Sequence, residues 1–162
     1  MFGRYLFIAS LAALLLAGCS EPADVAGDYS MAITNGQNGC NFDNWTMGDS
    51  STDIGVTITQ NEDIASAEVR GLVGGFLSLW LGSNLFRGEV SGSSLALTLF
   101  GTTSRTQGSC SYTINSELDA TLDGDLLHGR LYYHSSTNGS PDCGVLEGCV
   151  SVQDFNGTRP PR

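Results

Sequence analysis

The sequence contains no lysine, and its basic side chains are seven arginines against 17 aspartates and glutamates. The formal net charge at neutral pH is −10. Binding to a nucleic-acid backbone needs clustered positive charge, so this composition excludes that class of partner. It also excludes attachment to anionic lipid through a basic patch.

Charge of either sign is scarce, since only 15% of the residues are charged, while 41% are apolar and 21 residues are glycine. The apolar share is too high for a disordered chain. Together with abundant serine, threonine and asparagine, the glycine content is typical of turn-rich all-β structure. A chain of 162 residues has room for one domain.

The sequence also lacks a long hydrophobic run. Its most apolar stretch, Tyr5 to Ala17, has about 13 residues, which is too short to span a membrane and has the length of a signal-peptide core. The stretch follows Arg4 and ends in Leu16-Ala17-Gly18-Cys19. The sequence therefore predicts an exported protein.

Leu16-Ala17-Gly18-Cys19 resembles the lipobox of bacterial lipoproteins. The resemblance implies cleavage before Cys19, a diacylglyceryl group on its thiol and acylation of the freed amine, with palmitate-type chains. Two or three such chains anchor a protein stably, because each buried methylene contributes about 0.8 kcal/mol. Ser20 stands where an aspartate often marks inner-membrane retention in enterobacteria, so the analogy favours the outer membrane. Cleavage by the ordinary signal peptidase and an uncleaved anchor are the competing interpretations.

The expected organisation is a signal peptide over 1–18, a lipidated tether over 19–26, one domain over 27–158 and a C-terminal tail over 159–162. Once Cys19 is assigned to the anchor, Cys40, Cys110, Cys143 and Cys149 remain. Four thiols in an exported chain imply two disulfides. No two of these cysteines have the close spacing of a structural zinc site, so we expect no metal.

Apolar and polar residues alternate in eight segments, which predicts eight half-buried strands. The predicted strands cover residues 28–35, 53–60, 64–70, 85–91, 94–100, 112–122, 126–134 and 149–155. In the last of them, Val150 and Val152 are expected to face inward. Tight turns at 61–63, 92–93 and 123–125 alternate with long connections at about 36–52, 71–84, 101–109 and 135–148. In an up-and-down meander all the long connections therefore lie at one end, away from the tether.

Eight strands with one apolar and one polar face predict an antiparallel up-and-down barrel, because closure removes exposed strand edges. A β-sandwich is the alternative. The charged outer face must meet water, whereas a transmembrane barrel would show the inverse pattern. Gly27-Asp28-Tyr29 is similar to the Gly-X-Trp opening of lipocalins, with tyrosine in place of tryptophan. That resemblance implies a lipocalin-like barrel.

All four remaining cysteines lie in or beside the long connections, so all three pairings are geometrically open. We favour Cys143–Cys149, a small local ring, together with Cys40–Cys110. The alternative pairs Cys40 with Cys149 and Cys110 with Cys143, and it joins loops at neighbouring strand ends. Either arrangement stiffens the end of the barrel that is distant from the tether.

The connection over 72–82 contains an apolar set at the spacing of one helical face. Its members are Val73, Phe76, Leu77, Trp80 and Leu81. We expect a short helix or apolar loop that plugs the open end of the barrel; the alternative is a lid over an apolar ligand cavity, or a patch for a partner. Gly74 and Gly75 weaken the helix prediction, because each costs about 1 kcal/mol relative to alanine.

No nucleophile, zinc-protease, dinucleotide-binding or phosphate-loop motif occurs. His128 and His134 share the outer face of one predicted strand and lie about 20 Å apart, too far for a shared site. We therefore expect no catalytic residues and no cofactor. The sequence favours a lipid-anchored structural or interaction protein of the envelope, and binding or transport of a small apolar ligand is the alternative. A solid interior would exclude the carrier, whereas a cavity of a few hundred Å³ would favour it.

Overall fold

The computed structural model describes residues 21–161, so Cys19 and the predicted signal peptide over 1–18 lie outside the described residues. The described chain forms nine strands, one α-helix and a short 3-10 segment over Pro141–Leu146. The elements are β1 Gly27–Asn38, β2 Ser50–Asn61, β3 Ile64–Val69, α1 Gly71–Leu81, β4 Leu85–Ser91, β5 Ser94–Leu99, β6 Arg105–Gln107, β7 Cys110–Asp123, β8 Leu126–Thr137 and β9 Val150–Thr158. No helix of this part of the chain is long and apolar enough to cross a membrane.

Eight of the strands close into an antiparallel barrel. Neighbouring strands follow the order β5-β4-β3-β2-β1-β9-β8-β7, and β5 pairs with β7 to complete the ring. Because each of these strands has a partner on both sides, the barrel prediction is confirmed and the sandwich alternative is wrong. β6 is an unpredicted ninth strand of three residues that extends the sheet along the start of β7.

The inward face is apolar, as the alternation predicted for the first seven of the predicted strands. Inward side chains that are almost fully shielded from water include Tyr29, Ile58, Ala67, Phe86, Leu97, Ile114 and Leu127. The prediction for the last strand is wrong: Val150 is 37% exposed, whereas Ser151 and Phe155 are buried. Since β9 follows Cys149, which is held inside by its disulfide, the odd-numbered residues of this strand face inward.

The tight turns and the long connections lie at opposite ends of the barrel, as predicted. Turns of two residues join β2 to β3, β4 to β5 and β7 to β8. At the other end run the β1–β2 loop, α1, the β5–β7 connection that contains β6, and the β8–β9 connection with its 3-10 segment. We call this second end the mouth and the tight-turn end the floor.

The chain before β1 closes the floor. Val25 is fully buried, its backbone N–H donates to Gln60 Oε1 at 2.8 Å, and Ala23 N donates to Gly92 O at 2.8 Å. The guanidinium of Arg159, which we placed in the C-terminal tail, donates to the carbonyl oxygens of Asp24 and Ala26. Residues 23–26 of the predicted tether are thus packed against the barrel.

The structure joins Cys40 to Cys149 and Cys110 to Cys143. The favoured pairing, Cys143–Cys149 with Cys40–Cys110, is therefore wrong, and the alternative is the observed one. The reason is strand adjacency: β1 and β9 are neighbours, so the cysteine just after β1 meets the cysteine just before β9. In the same way, the connection that leaves β8 returns over the start of its neighbour β7.

Candidate functional site

The barrel interior holds a cavity of about 1120 Å³ that continues into the loops of the mouth. Its inner walls are made by apolar side chains of β1, β2, β3, β4, β7, β8 and β9. These include Met31, Ile54, Val56, Ile58, Ala67, Phe86, Ile114, Leu127, Leu131 and Phe155. The inward apolar side chains and the loops of the mouth thus bound one mainly apolar cavity.

Aromatic side chains from three elements meet where the chamber reaches the mouth. Phe42 and Trp45 come from the β1–β2 loop, Phe76 and Trp80 from α1, and Tyr133 from β8. The Phe42 and Trp80 ring centroids are 5.2 Å apart in an edge-to-face arrangement, and those of Trp80 and Tyr133 are 5.6 Å apart. Trp45 lies 5.8 Å from Tyr133. We call these five residues the aromatic cluster; it narrows the route from the mouth to the inner walls.

The predicted helix is present as α1, and the residues singled out on it divide by exposure. Val73, Leu77 and Trp80 line the cavity, and Leu81 is 1% exposed. Phe76 lines the cavity edge, but its side chain is 61% exposed, and its ring stacks on Trp80 at 6.0 Å. The helix therefore covers the mouth with one face and exposes apolar side chains on the other.

Both ends of α1 are fastened to the barrel. At its start, Arg70 N donates to Gly55 O at 2.8 Å, and the backbone of Gly74 packs against the carbonyl of Val69. At its end, Thr102 N donates to Leu81 O at 2.7 Å. These bonds hold the start of α1 on β2 and its end on the connection between β5 and β6.

A short chain of polar side chains crosses the inner wall beside the aromatic cluster. Tyr133 Oη donates to Gln153 Oε1 at 2.8 Å, and Gln153 Nε2 donates to Asn35 Oδ1 at 2.7 Å. Burial raises the pKa of the Tyr133 phenol well above its ordinary value. All three side chains line the cavity, so they give an otherwise apolar chamber a few oriented hydrogen-bonding groups.

Sequence reasoning missed Phe42, Trp45 and Gln153. The first two lie in a predicted loop whose conformation no periodicity describes, and the third was placed outside by the wrong parity of β9. A signal was available for each. Aromatic residues in a long loop at the same end as Trp80 were candidates to contact it. Phe155 is the bulkiest apolar residue of the last strand, so it was expected inside, and Gln153 lies on the same face because it is two residues away.

The mouth has an exposed apolar rim to which every long connection contributes. Its members are Met47, Leu72, Phe76, Leu79, Phe100 and Val145, all more than 60% exposed. The floor has only Ile64 and Leu126 as exposed large apolar side chains among the residues described. Exposed apolar groups are therefore concentrated at the mouth.

The predicted surface histidines lie on the outer face of β8. His128 pairs with Thr121 of β7, and His134 Nε2 lies 3.6 Å from a carboxylate oxygen of Glu117. Residues 21–161 contain no group of three or more histidine, cysteine, aspartate or glutamate side chains arranged to hold a metal ion. The cavity is the candidate ligand site of the described chain.

No protein family, no curated protein and no solved structure matches this chain. The resemblances to lipoproteins and lipocalins therefore stay predictions from Leu16-Ala17-Gly18-Cys19 and Gly27-Asp28-Tyr29.

Proposed function

We propose that this protein is a lipid-anchored, non-catalytic binding protein of the bacterial envelope that takes a small, mainly apolar ligand into its barrel. The observation that carries the proposal is the cavity of about 1120 Å³. Ligand pockets typically enclose about 300–1,000 Å³ and combine apolar walls with a few placed polar groups. With the loops of the mouth included, the cavity is slightly larger than this range, and Tyr133, Gln153 and Asn35 supply such groups.

The cavity favours the binding of a small apolar ligand over a purely structural role, the two functions that the sequence suggested. A purely structural lipoprotein gains nothing from a hollow interior, because close packing is what stabilises a core. A carrier needs the space. The apolar walls, the aromatic cluster at the entrance and the absence of a catalytic motif from the sequence all favour binding over chemistry.

The anchor and the location are proposed from the N-terminal sequence. The lipobox supports acylation of Cys19, Ser20 favours the outer membrane, and two disulfides are typical of an oxidising compartment. The chain enters the barrel at the floor, so a lipid at Cys19 is expected to hold the floor toward the membrane and the mouth away from it. Ligand would then enter from the side opposite the anchor.

Binding can be measured with N-phenylnaphthylamine, a neutral apolar fluorophore, because the chain's only tryptophans, Trp45 and Trp80, lie at the mouth and can transfer energy to it. The purified lipidated protein is placed in nanodiscs whose scaffold lacks tryptophan. Ala67→Phe, which fills the chamber wall, should weaken binding at least about tenfold. Ala96→Phe adds the same bulk on the exposed outer face of β5 and should leave binding unchanged.

Val69→Phe fills the chamber nearer to the mouth and serves as a second filling variant. Near-UV circular dichroism verifies that each variant is folded. Failure of the fluorophore to bind, or equal binding by folded Ala67→Phe and Ala96→Phe proteins, would contradict the proposal. Native mass spectrometry of protein purified from its own membrane should also detect a retained small molecule.

The anchor has a separate test. Cys19→Ala removes the thiol that the lipobox assigns to the diacylglyceryl group, and we expect this variant to leave the membrane fraction. Continued membrane association at the wild-type level would overturn the lipidation proposal without affecting the ligand-binding proposal.

The apolar rim favours a second candidate function, contact between the mouth and an envelope protein. Exposed apolar patches of this kind mark interaction surfaces. A photo-crosslinking amino acid at Leu79 in living cells should give a discrete adduct, whereas the same group at Ile64, exposed at the floor, should not. Identical adduct patterns at the two positions would count against a partner at the mouth.

A further inference from the structure

Arg105 is a basic side chain in the wall of the cavity. It begins β6 and pairs with Tyr112 of β7, whose side chain also lines the cavity. Directly paired residues on neighbouring strands project to the same face of a sheet. The register therefore directs the guanidinium into the mouth of the chamber. Most of the other arginines in the described chain lie on the outer surface or at the floor.

The guanidinium of Arg105 has few hydrogen-bond partners in the described chain. One of its terminal nitrogens, Nη2, donates to the carbonyl oxygen of Trp80 at 3.1 Å. Its Nε–H is shielded from solvent and has no hydrogen-bond partner in the described structure. No carboxylate among residues 21–161 forms an ion pair with it, whereas Arg70, Arg130 and Arg159 each have one.

A shielded guanidinium N–H without an acceptor is costly, because its hydration has been lost without replacement. In native proteins such donors are normally met by a protein acceptor, an ordered water or a bound ligand. The planar fork of arginine matches a carboxylate, which can accept two parallel hydrogen bonds. Arg105 thus has the geometry and the free donor of a carboxylate-binding group.

Three aspartates also line the outer cavity, and they limit what an anionic ligand can be. Asp43 and Asp49 belong to the β1–β2 loop, and Asp142 is the second residue of the 3-10 segment. All three are exposed, so solvent and salt weaken their field, whereas Arg105 is partly buried. Hydrogen bonds from Ser109 hold the pKa of Asp142 below its ordinary range, so this residue stays anionic. These charges disfavour a ligand that carries more than one negative charge.

We propose that Arg105 binds the head group of an amphiphilic monocarboxylate whose apolar chain occupies the barrel. This inference rests on the proposed function. The carboxylate meets Arg105 at the mouth, beside Trp80, and the chain runs past the aromatic cluster along Ile33 and Leu118, two wall side chains that are partly accessible. Arg105 then determines specificity, while the apolar walls supply affinity.

The test compares dodecanoate with dodecanol, which share an apolar chain and differ in the charged head group. Binding to the lipidated protein in nanodiscs is followed by the fluorescence of Trp45 and Trp80. Arg105→Gln removes the charge and keeps a shorter, neutral side chain that can still donate hydrogen bonds. It should weaken dodecanoate binding about tenfold or more, and it should leave dodecanol binding within about threefold.

Arg87→Gln is the matched control, since it removes the same charge from the exposed outer face of β4. It should change neither dissociation constant. If Arg105→Gln lowers the affinities for dodecanoate and dodecanol equally, Arg105 is a structural contact of α1 and the inference is wrong.

Other outcomes separate the inference from the proposed function. If N-phenylnaphthylamine binds but neither dodecanoate nor dodecanol does, the carboxylate inference fails and the apolar binding site stands. If none of the three binds, both fail. Should Arg105→Gln not fold, the wild-type protein decides: it must bind dodecanoate more tightly than dodecanol, and equal or weaker binding of dodecanoate overturns the inference.

Discussion

Cys40 and Cys149 lie 4.9 Å apart between their Cα atoms, and their disulfide ties the end of β1 to the start of β9 at the mouth of the barrel. Phe42 and Trp45 of the aromatic cluster follow Cys40 by a few residues. The crosslink is reinforced by Cys40 N, which donates to Ser151 Oγ at 3.1 Å. The bond therefore fixes the base of the loop that narrows the entrance.

Removal of this disulfide should cost more stability than removal of the second one. The closed loop spans 109 residues for Cys40–Cys149 and 33 for Cys110–Cys143. On the chain-entropy model the two bonds contribute about 5 and about 4 kcal/mol. Urea denaturation of the Cys40→Ser/Cys149→Ser and Cys110→Ser/Cys143→Ser proteins should rank them in that order. The reverse order would show that local strain or residual unfolded structure outweighs loop entropy.

Adjacent glycines of α1 should respond in opposite directions to the same substitution. A Cβ at Gly74 would lie 2.0 Å from the carbonyl oxygen of Val69, so Gly74→Ala must push the helix off the barrel. We expect a loss of about 2 kcal/mol or more. Gly75 has no neighbouring atom within 4 Å of that position. Gly75→Ala should stabilise the protein by about 0.5–1 kcal/mol, because alanine is the better helix former.

Thermal unfolding of the two glycine variants measures this contrast, and the wild-type protein is the reference. A stabilised Gly74→Ala protein would mean that α1 is not seated on Val69 as the structure has it. A destabilised Gly75→Ala protein would mean that this exposed helix position has a neighbour that the described residues do not show.

The buried phenol of Tyr133 should make the protein sensitive to alkali. Burial raises its pKa in the folded state, so the neutral form is the one that folding favours. The stabilising contribution is therefore complete below the unfolded pKa of about 10 and is lost as the pH rises toward the folded value. We expect the free energy of unfolding to fall above pH ~10, by at most about 1.4 kcal/mol per pH unit from this group.

Tyr133→Phe provides the control for this alkaline effect. The variant loses the hydrogen bond to Gln153 and should be about 1 kcal/mol less stable at neutral pH. Its stability should then decline less steeply than that of the wild-type protein above pH ~10. Parallel declines in the two proteins would assign the alkaline sensitivity to other groups.

Much of the barrel could be predicted from the sequence, because the alternation of apolar and polar residues is a local signal and side-chain burial follows it in β1 to β5, β7 and β8. It failed in β9, where Ser151 and Gln153 are inside because hydrogen bonds to Cys40 N and Tyr133 Oη satisfy them there. Two β-branched valines with the opposite parity gave the stronger but misleading pattern. The alternation of apolar and polar residues reports only hydrophobicity, so it does not predict polar side chains that are buried with hydrogen-bond partners.

The disulfides and the cavity depend on information that no single segment contains. Cys40 meets Cys149 only because the first and last strands pair to close the ring. The chamber is the space left when small inward residues such as Ala67 face a wall across the barrel, and its volume depends on how far the strands separate. The helix over 71–81 could be predicted because its apolar spacing is local. The position of Phe42 and Trp45 in the loop made them candidates to contact Trp80, but the contact itself depends on how the loop folds.

The floor of the barrel should depend on Arg159 far more than on the similar ion pair of Arg70. The Arg159 side chain is only 8% exposed, and its guanidinium binds Asp125 and two backbone carbonyls of the segment before β1. Arg70 also pairs with an aspartate, Asp28, but both side chains are more than half exposed.

Since an exposed pair contributes at most about 1 kcal/mol, Arg70→Ala should be nearly neutral. Arg159→Ala removes the ion pair with Asp125 and the hydrogen bonds to the two carbonyls, so it should cost about 3 kcal/mol and release residues 23–26. Proteolysis of the lipidated protein should then cut near Ala23 in the Arg159→Ala variant alone; equal cleavage of the two variants would show that Val25, and not the arginine, holds the floor closed.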